Sequence, residues 1–360
     1  MKKHIRLPKV LPLLLVLSAP LFSQAAGGDK NDDVRKTKLI NRSYNVTAED
    51  KLQIHNSFGD VTVTTWDQPK ITVDIEIGAR ANSDEKAQDI LNQIDVREDK
   101  GDHTFSFRTK VGEIHNQNSS HHNDGGDNRT FYIDYVIHMP AGNPLDVHND
   151  FGRTEIPDFK GPINLTSKYG SLTAGNLANV GNIDVEFGKC TIGEVTNGKI
   201  VLQYDGNSRI GKIHGSVRIV SEFSSHVQLS VGEKIQELSV NESYSGIRMV
   251  VDKDVSAQIS IHTNFGEFRN ESEFTIKEKN EGDDEGGPKF DKDYSGTLNE
   301  GKAQIKVKSE FGSLRLTTFG DDNGDDDRDH DNRNKHKDKN KDKSKDKDKE
   351  KDKETEVSVS

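Results

Sequence analysis

The chain has 360 residues, equal 31% shares of hydrophobic and charged residues, and a formal net charge of −11. That acidic balance excludes recognition of nucleic acid through bulk positive charge, and no basic cluster is visible outside the C-terminal tail. A single cysteine, Cys190, excludes an internal disulfide framework, so stability must come from burial and backbone hydrogen bonds.

Lys2, Lys3 and Arg6 precede an apolar run from Leu11 to Phe22 and then Ser23-Gln24-Ala25. A basic start, a short apolar stretch and a small-x-small site predict a secretory signal peptide cleaved after Ala25. Pro12 and Pro20 interrupt the run, which is too short for a membrane anchor. The mature chain is therefore expected to be exported, to the periplasm or the cell surface, with no transmembrane segment. Residues 26–39 read as a polar leader.

From Ile40 to Ile77 the apolar positions alternate, as in strands: Leu52 and Ile54, Val61 and Val63, then Ile71, Val73, Ile75 and Ile77 after the Trp66-Asp67-Gln68-Pro69 turn. Ala87, Ile90, Leu91 and Ile94 follow helical spacing and predict a helix over 82–94, with Asn82 and Glu85 as a capping box. It is expected to pack on the early sheet or to plug one end of the fold. Strands resume at Val96, at Phe105–Phe107 and from Phe131 to His138. Residues 112–129, rich in Asn, Ser, His, Asp and Gly, read as a mobile insertion.

After the Met139-Pro140-Ala141-Gly142 turn a repeat begins. Its landmarks are Phe151, Tyr169, Phe187, Tyr204, Phe223, Tyr244 and Phe265, spaced 18, 18, 17, 19, 21 and 21 residues apart and each followed by a small residue or Asp. A period near twenty with alternating apolar positions predicts a parallel β-solenoid, one coil stacked on the next. Each ring shares its parity with the aliphatics before it: Ile183, Val185 and Phe187 fall on one side, Asp184 and Glu186 on the other. The rings are accordingly expected to form a buried stack, and the glycines to supply positive φ at each corner. Cys190 falls on the inward position of Leu172. Residues 280–296 read as a second insertion, followed by a last copy around Phe311-Gly312. Lysine at every odd position from Lys335 to Lys353 predicts that residues 320–360 are disordered.

Little catalytic chemistry is visible. His55, His148 and His262 each stand three residues before a ring, but His148 and His262 are separated by coils amounting to roughly 30 Å, too far to share a metal. His115, His121 and His122 share one loop and are candidate metal ligands without tetrahedral spacing. The acidic run from Asp321 lacks the glycine and glutamate of a calcium loop. No cofactor is expected. Glu186 and Glu222, two coils apart at about 10 Å, are the one carboxylate pair near the range of a glycoside-cleaving site. Sugar stacking on the rings is opposed by their parity. Glu242, inward just before Tyr244, calls for a bulge or a hydrogen-bonded carboxyl.

Three segments carry a resemblance: Asn56-Ser57-Phe58-Gly59-Asp60-Val61-Thr62-Val63 with Trp66-Asp67, the Met139-Pro140-Ala141-Gly142 turn, and His148-Asn149-Asp150-Phe151-Gly152 with the coils after it. On these the chain resembles the putative adhesin family of exported bacterial proteins, over roughly residues 40–319. The resemblance implies a right-handed β-solenoid in the cell envelope, a role in adhesion and no catalytic residues. The tail and the two insertions depart from the family pattern. The expectation is a non-enzymatic exported scaffold that binds an envelope protein or glycan. The alternatives are a carbohydrate-cleaving β-helix and a periplasmic partner in envelope-stress sensing.

Overall fold

A computed structural model of the protein describes residues 34–112, 131–279 and 290–319. The expected signal peptide, His115, His121 and His122, most of both insertions and the Lys/Asp tail lie outside those residues. Within them the chain is all-β apart from one helix, and its strands join in one mixed sheet.

The repeat forms parallel ladders. Ile54 pairs with Val147, Val147 with Leu165, Leu165 with Ile183, Ile183 with Ile200, Ile200 with Ile219 and Ile219 with Val240. Every member of that column is buried, and it belongs to one continuous apolar cluster running through the described residues. Burying such a side chain stabilises by about 1.5–3 kcal/mol, and the stack repeats that gain on each rung. Cys190 pairs with Leu172 and is fully buried; burial raises its thiol pKa, which suits packing rather than nucleophilic chemistry.

Rung order departs from chain order at the C-terminal end. Val240 pairs with Val307, and Val307 with Ile261, so Ala303–Glu310 slides between two strands that precede it in sequence. The preceding strand, Ala257–Asn264, takes Asp291–Leu298 as an antiparallel partner on its other side. The chain then re-enters the open slot through a tight turn with Asn299 and Gly301 at positive φ. Asn299 Nδ2 fastens that turn, donating to the carbonyls of Lys253 and Val255 at 2.9 and 2.8 Å.

Antiparallel strands cover both ends. Ile94–Gly101 pairs with Thr104–Val111 beside the first rung, and Ile276–Glu278 with Asp291–Leu298 beside the last. Two expectations about unstructured segments are corrected here. Val34–Leu39, read as leader, belongs to the strand Val34–Asn45, which pairs antiparallel with Lys70–Ala81. It is an edge strand with no fully buried position, so it carries no apolar alternation to read. Residues 291–296, read as insertion, likewise lie in a strand.

The helix is Asp84–Asn92, and its N-cap is Ser83, whose Oγ accepts from the Lys86 amide at 3.3 Å; Asn82 is not the cap. Ala87 and Leu91 are buried as the helix packs against the strands Val34–Asn45 and Lys70–Ala81. Ile94 has already left the helix and begins the next strand.

Candidate functional site

At each ring corner the aromatic residue, not the glycine after it, carries the left-handed backbone. Phe58, Phe151, Tyr169, Phe187, Tyr204, Phe223, Tyr244, Phe311 and Phe265 all have φ between 50° and 68°. A residue with a Cβ there costs roughly 1–2 kcal/mol, and the fold accepts that cost at each of the nine rings. The neighbouring glycines serve close approach instead. A Cβ on Gly152 would lie 1.8 Å from the Gly59 carbonyl oxygen, one on Gly170 1.9 Å from that of Gly152, and one on Gly188 2.1 Å from that of Gly170.

The left-handed residue also resets the alternation, and with it the side on which the rings lie. Phe151, Tyr169, Phe187, Tyr204, Phe223, Tyr244 and Phe265 are 42–54% exposed, whereas Ile183 and Val185 are fully buried. The buried stack predicted from parity is therefore corrected to an external one. Its order is corrected too, because Phe311 stands between Tyr244 and Phe265. From Phe58 to Phe265 successive ring centroids lie 4.6–5.1 Å apart with planes within 7° of parallel, a column about 40 Å long. Each inner ring turns its faces to the rings above and below and offers solvent chiefly its edge, the positive side of the ring quadrupole.

Beneath the rings, two residues before the aromatic, runs a buried polar column occupied at seven of the nine rings by Asn56, Asn149, Ser167, Ser221, Glu242, Ser309 and Thr263, and interrupted by Val185 and Leu202 before Phe187 and Tyr204. Asn56 donates to the Ile133 carbonyl at 2.9 Å and Asn149 to that of Gly59 at 3.1 Å, so these side chains satisfy backbone acceptors near the corner. Glu242 accepts from Ser309 Oγ, and burial pushes its carboxyl up to about 8. It is a neutral, hydrogen-bonded acid at pH 7, and the strand is not bulged there. Asp205 accepts from Ser208 Oγ and is raised by burial to about 6.

Glu186 and Glu222 stand two rungs apart with Gln203 between them. Lys168 Nζ lies 2.8 Å from Glu186, and Gln203 Nε2 donates to Glu222 at 2.8 Å, so each carboxylate is engaged by its neighbour in the one ladder column they share. The histidines split. His55 and His148 occupy adjacent rungs with rings stacked at 5.1 Å, an adjacency hidden in sequence by the residues between them. His262 lies at the other end, 3.0 Å from Asp293. Among the described residues no group of three or more metal-ligating side chains comes together.

Four or five residues after the ring, the rungs place an outward side chain in a second column. Its C-terminal half reads Arg209, Gln228, Arg248, Arg315, Arg269 on five successive rungs. This is the local basic stripe that the linear sequence hides, because Arg315 enters between Arg248 and Arg269 only through the displaced rung order. Between this stripe and the rings of Phe223, Tyr244 and Phe311 lies a groove of about 900 Å³, floored by Gly246 and Ser313. The earlier rungs carry Arg153 and Lys189 at the floor position, and Arg153 is tied to Asp60 at 2.7 Å. Rings, groove and arginines together form one outward face of the C-terminal rungs.

Among the described residues no helix is long and apolar enough to cross a membrane. No family model and no curated protein matches the chain. Among solved structures it is similar to a putative adhesin from Bacteroides fragilis, at 12% identity over 78% of this chain and 97% of that one, with a TM-score of 0.38. It is also similar to a putative cell adhesion protein from Clostridium sporogenes, at 11% identity over 80% and 100% of the two chains and a TM-score of 0.25. A putative lipid binding protein from Parabacteroides distasonis matches at 10% identity over 77% and 96%, with a TM-score of 0.29.

Proposed function

We propose that the protein is an exported, non-enzymatic binding protein of the cell envelope, built as one right-handed β-solenoid domain over residues 34–319, whose ring column is its binding face. Adhesion is the form of binding that the sequence resemblance implies. One observation carries the reading: nine aromatic residues hold a left-handed backbone, and eight of them keep about half of their surface in water. Stacking contributes about 0.5–1.5 kcal/mol per pair, the same order as the strain at each corner. Stability alone would be served better by burying the rings, so a continuous exposed apolar strip marks a contact surface. A carbohydrate-cleaving role for Glu186 and Glu222 draws no support from their ladder partners, since neither stands opposite the other across a cleft.

The test is binding of the purified mature chain to immobilised envelope extracts and a polysaccharide panel. The comparison is the triple variant Phe187→Asn, Tyr204→Asn and Phe223→Asn, because Asn tolerates the left-handed backbone. Loss of binding with the fold intact by circular dichroism is the expected result. Retained binding would remove the ring column from the account, and shortening of any glycan chain would remove the non-enzymatic reading.

A further inference from the structure

The groove beside the C-terminal rings has a chemistry of its own. Arg209, Arg248 and Arg315 line one wall, and the rings of Phe223, Tyr244 and Phe311 line the other. Arg248, Arg315 and Arg269 occupy successive rungs, about 4.8 Å apart per step, which is comparable to the advance of an extended pyranose chain per sugar, and Arg209 follows two rungs from Arg248 with Gln228 between them. A guanidinium presents paired donors that fit a carboxylate. The stripe already accepts that group from the protein itself: Glu271 lies 3.4 Å from Arg315 and Glu267 lies 2.8 Å from Arg269. The opposite wall adds ring edges, which are also electropositive. Beyond the rings stand Glu222 and Glu310, one residue before Phe223 and Phe311, so the anion is confined to the arginine side.

We propose that this groove binds a linear polysaccharide bearing carboxylate groups, its acid groups on the arginine stripe and its sugar rings along the trough. The proposal rests on the reading of the ring column as a binding face and narrows it to one ligand class. Single-stranded nucleic acid fits less well. It binds such surfaces by stacking bases on open aromatic faces, and here the inner rings cover one another's faces.

Titration of the full chain with polygalacturonate tests this, with neutral dextran, polyglutamate and single-stranded DNA as comparisons. Binding to polygalacturonate is expected, weakening as salt rises. Arg209→Gln combined with Arg315→Gln should lower affinity about tenfold, from two lost exposed charge contacts. Gly246→Leu supplies the second variant. A Cβ there meets nothing closer than 3.5 Å, so the fold should tolerate it while the side chain fills the trough floor and abolishes binding. No binding of polygalacturonate, equal binding by both variants, or equally tight binding of polyglutamate or DNA would overturn the proposal. If polygalacturonate fails while the triple asparagine variant still abolishes attachment to envelope material, only the ligand class falls and the ring face stands.

Discussion

Two sets of corners hold the same ring by different means. At Gly152, Gly170 and Gly188 the backbones of successive rungs press so closely that no side chain fits between them. At Asp205, Ser224 and Ser245 a side chain is present, and it makes the contacts instead. Ser224 Oγ accepts from the Asp205 amide at 3.1 Å and donates to the Glu222 carbonyl at 3.0 Å, and Ser245 Oγ accepts from the Ser224 amide at 3.1 Å. The ring's left-handed φ is common to both sets, 54–61° in the first and 50–53° in the second. The aromatic conformation is thus the constant of the repeat, and the small residue after it is the local means of reaching it. The side-chain corners are also where the arginine groove opens.

The largest expected effect separates the two sets by pH. Glu242 lies under the Tyr244 corner with its carboxyl at about 8, against an ordinary 4.5. The folded chain therefore keeps a proton that the unfolded chain releases. Its contribution is full below about pH 4.5 and is lost as pH rises through 8, a fall of about 5 kcal/mol. Urea denaturation of wild type against Glu242→Gln between pH 5 and 8 measures it. The variant should show the flatter profile, whereas parallel profiles would mean that Glu242 is ionised in the fold.

Next comes the close approach itself. Gly170→Ala puts a methyl 1.9 Å from a backbone oxygen and should destabilise by about 3 kcal/mol or more. Gly246→Ala, at the other kind of corner, brings a methyl no closer than 3.5 Å to any atom and should stay within about 0.5 kcal/mol. Equal effects would erase the distinction between the corners. The smallest effect concerns the ring. Tyr204→Ala removes two stacking contacts at 4.6 and 5.1 Å and should cost about 2 kcal/mol by equilibrium unfolding. Tyr204→Gly should cost about 1 kcal/mol less, because glycine takes the left-handed backbone without strain. The reverse order would show that the corner is unstrained.

Much of the ladder was legible from sequence. The alignment of Leu165, Ile183 and Ile200 follows from alternation and period alone, as does the inward place of Cys190. The side of the rings was not, because parity counts residues and cannot register that one of them reverses the chain. One left-handed residue moves Phe187 from the row of Val185 to the outside. The glycine after it marks the corner by close approach, whereas the residue that takes positive φ is the ring. The arginine stripe was hidden by topology, since Arg248 and Arg315 become neighbours only when a later strand fills an earlier slot. His55 and His148 were hidden in the same way, and Val34–Leu39 by an edge strand's polarity.

The most direct test of the external ring column is hydroxyl-radical footprinting of the intact protein, read by mass spectrometry residue by residue. Phe151, Tyr169, Phe187, Tyr204, Phe223, Tyr244, Phe311 and Phe265 should all label at the rates of half-exposed rings, with Ile183, Val185 and Tyr135 protected. Rings protected to the level of Val185 would contradict the account and return the column to the interior.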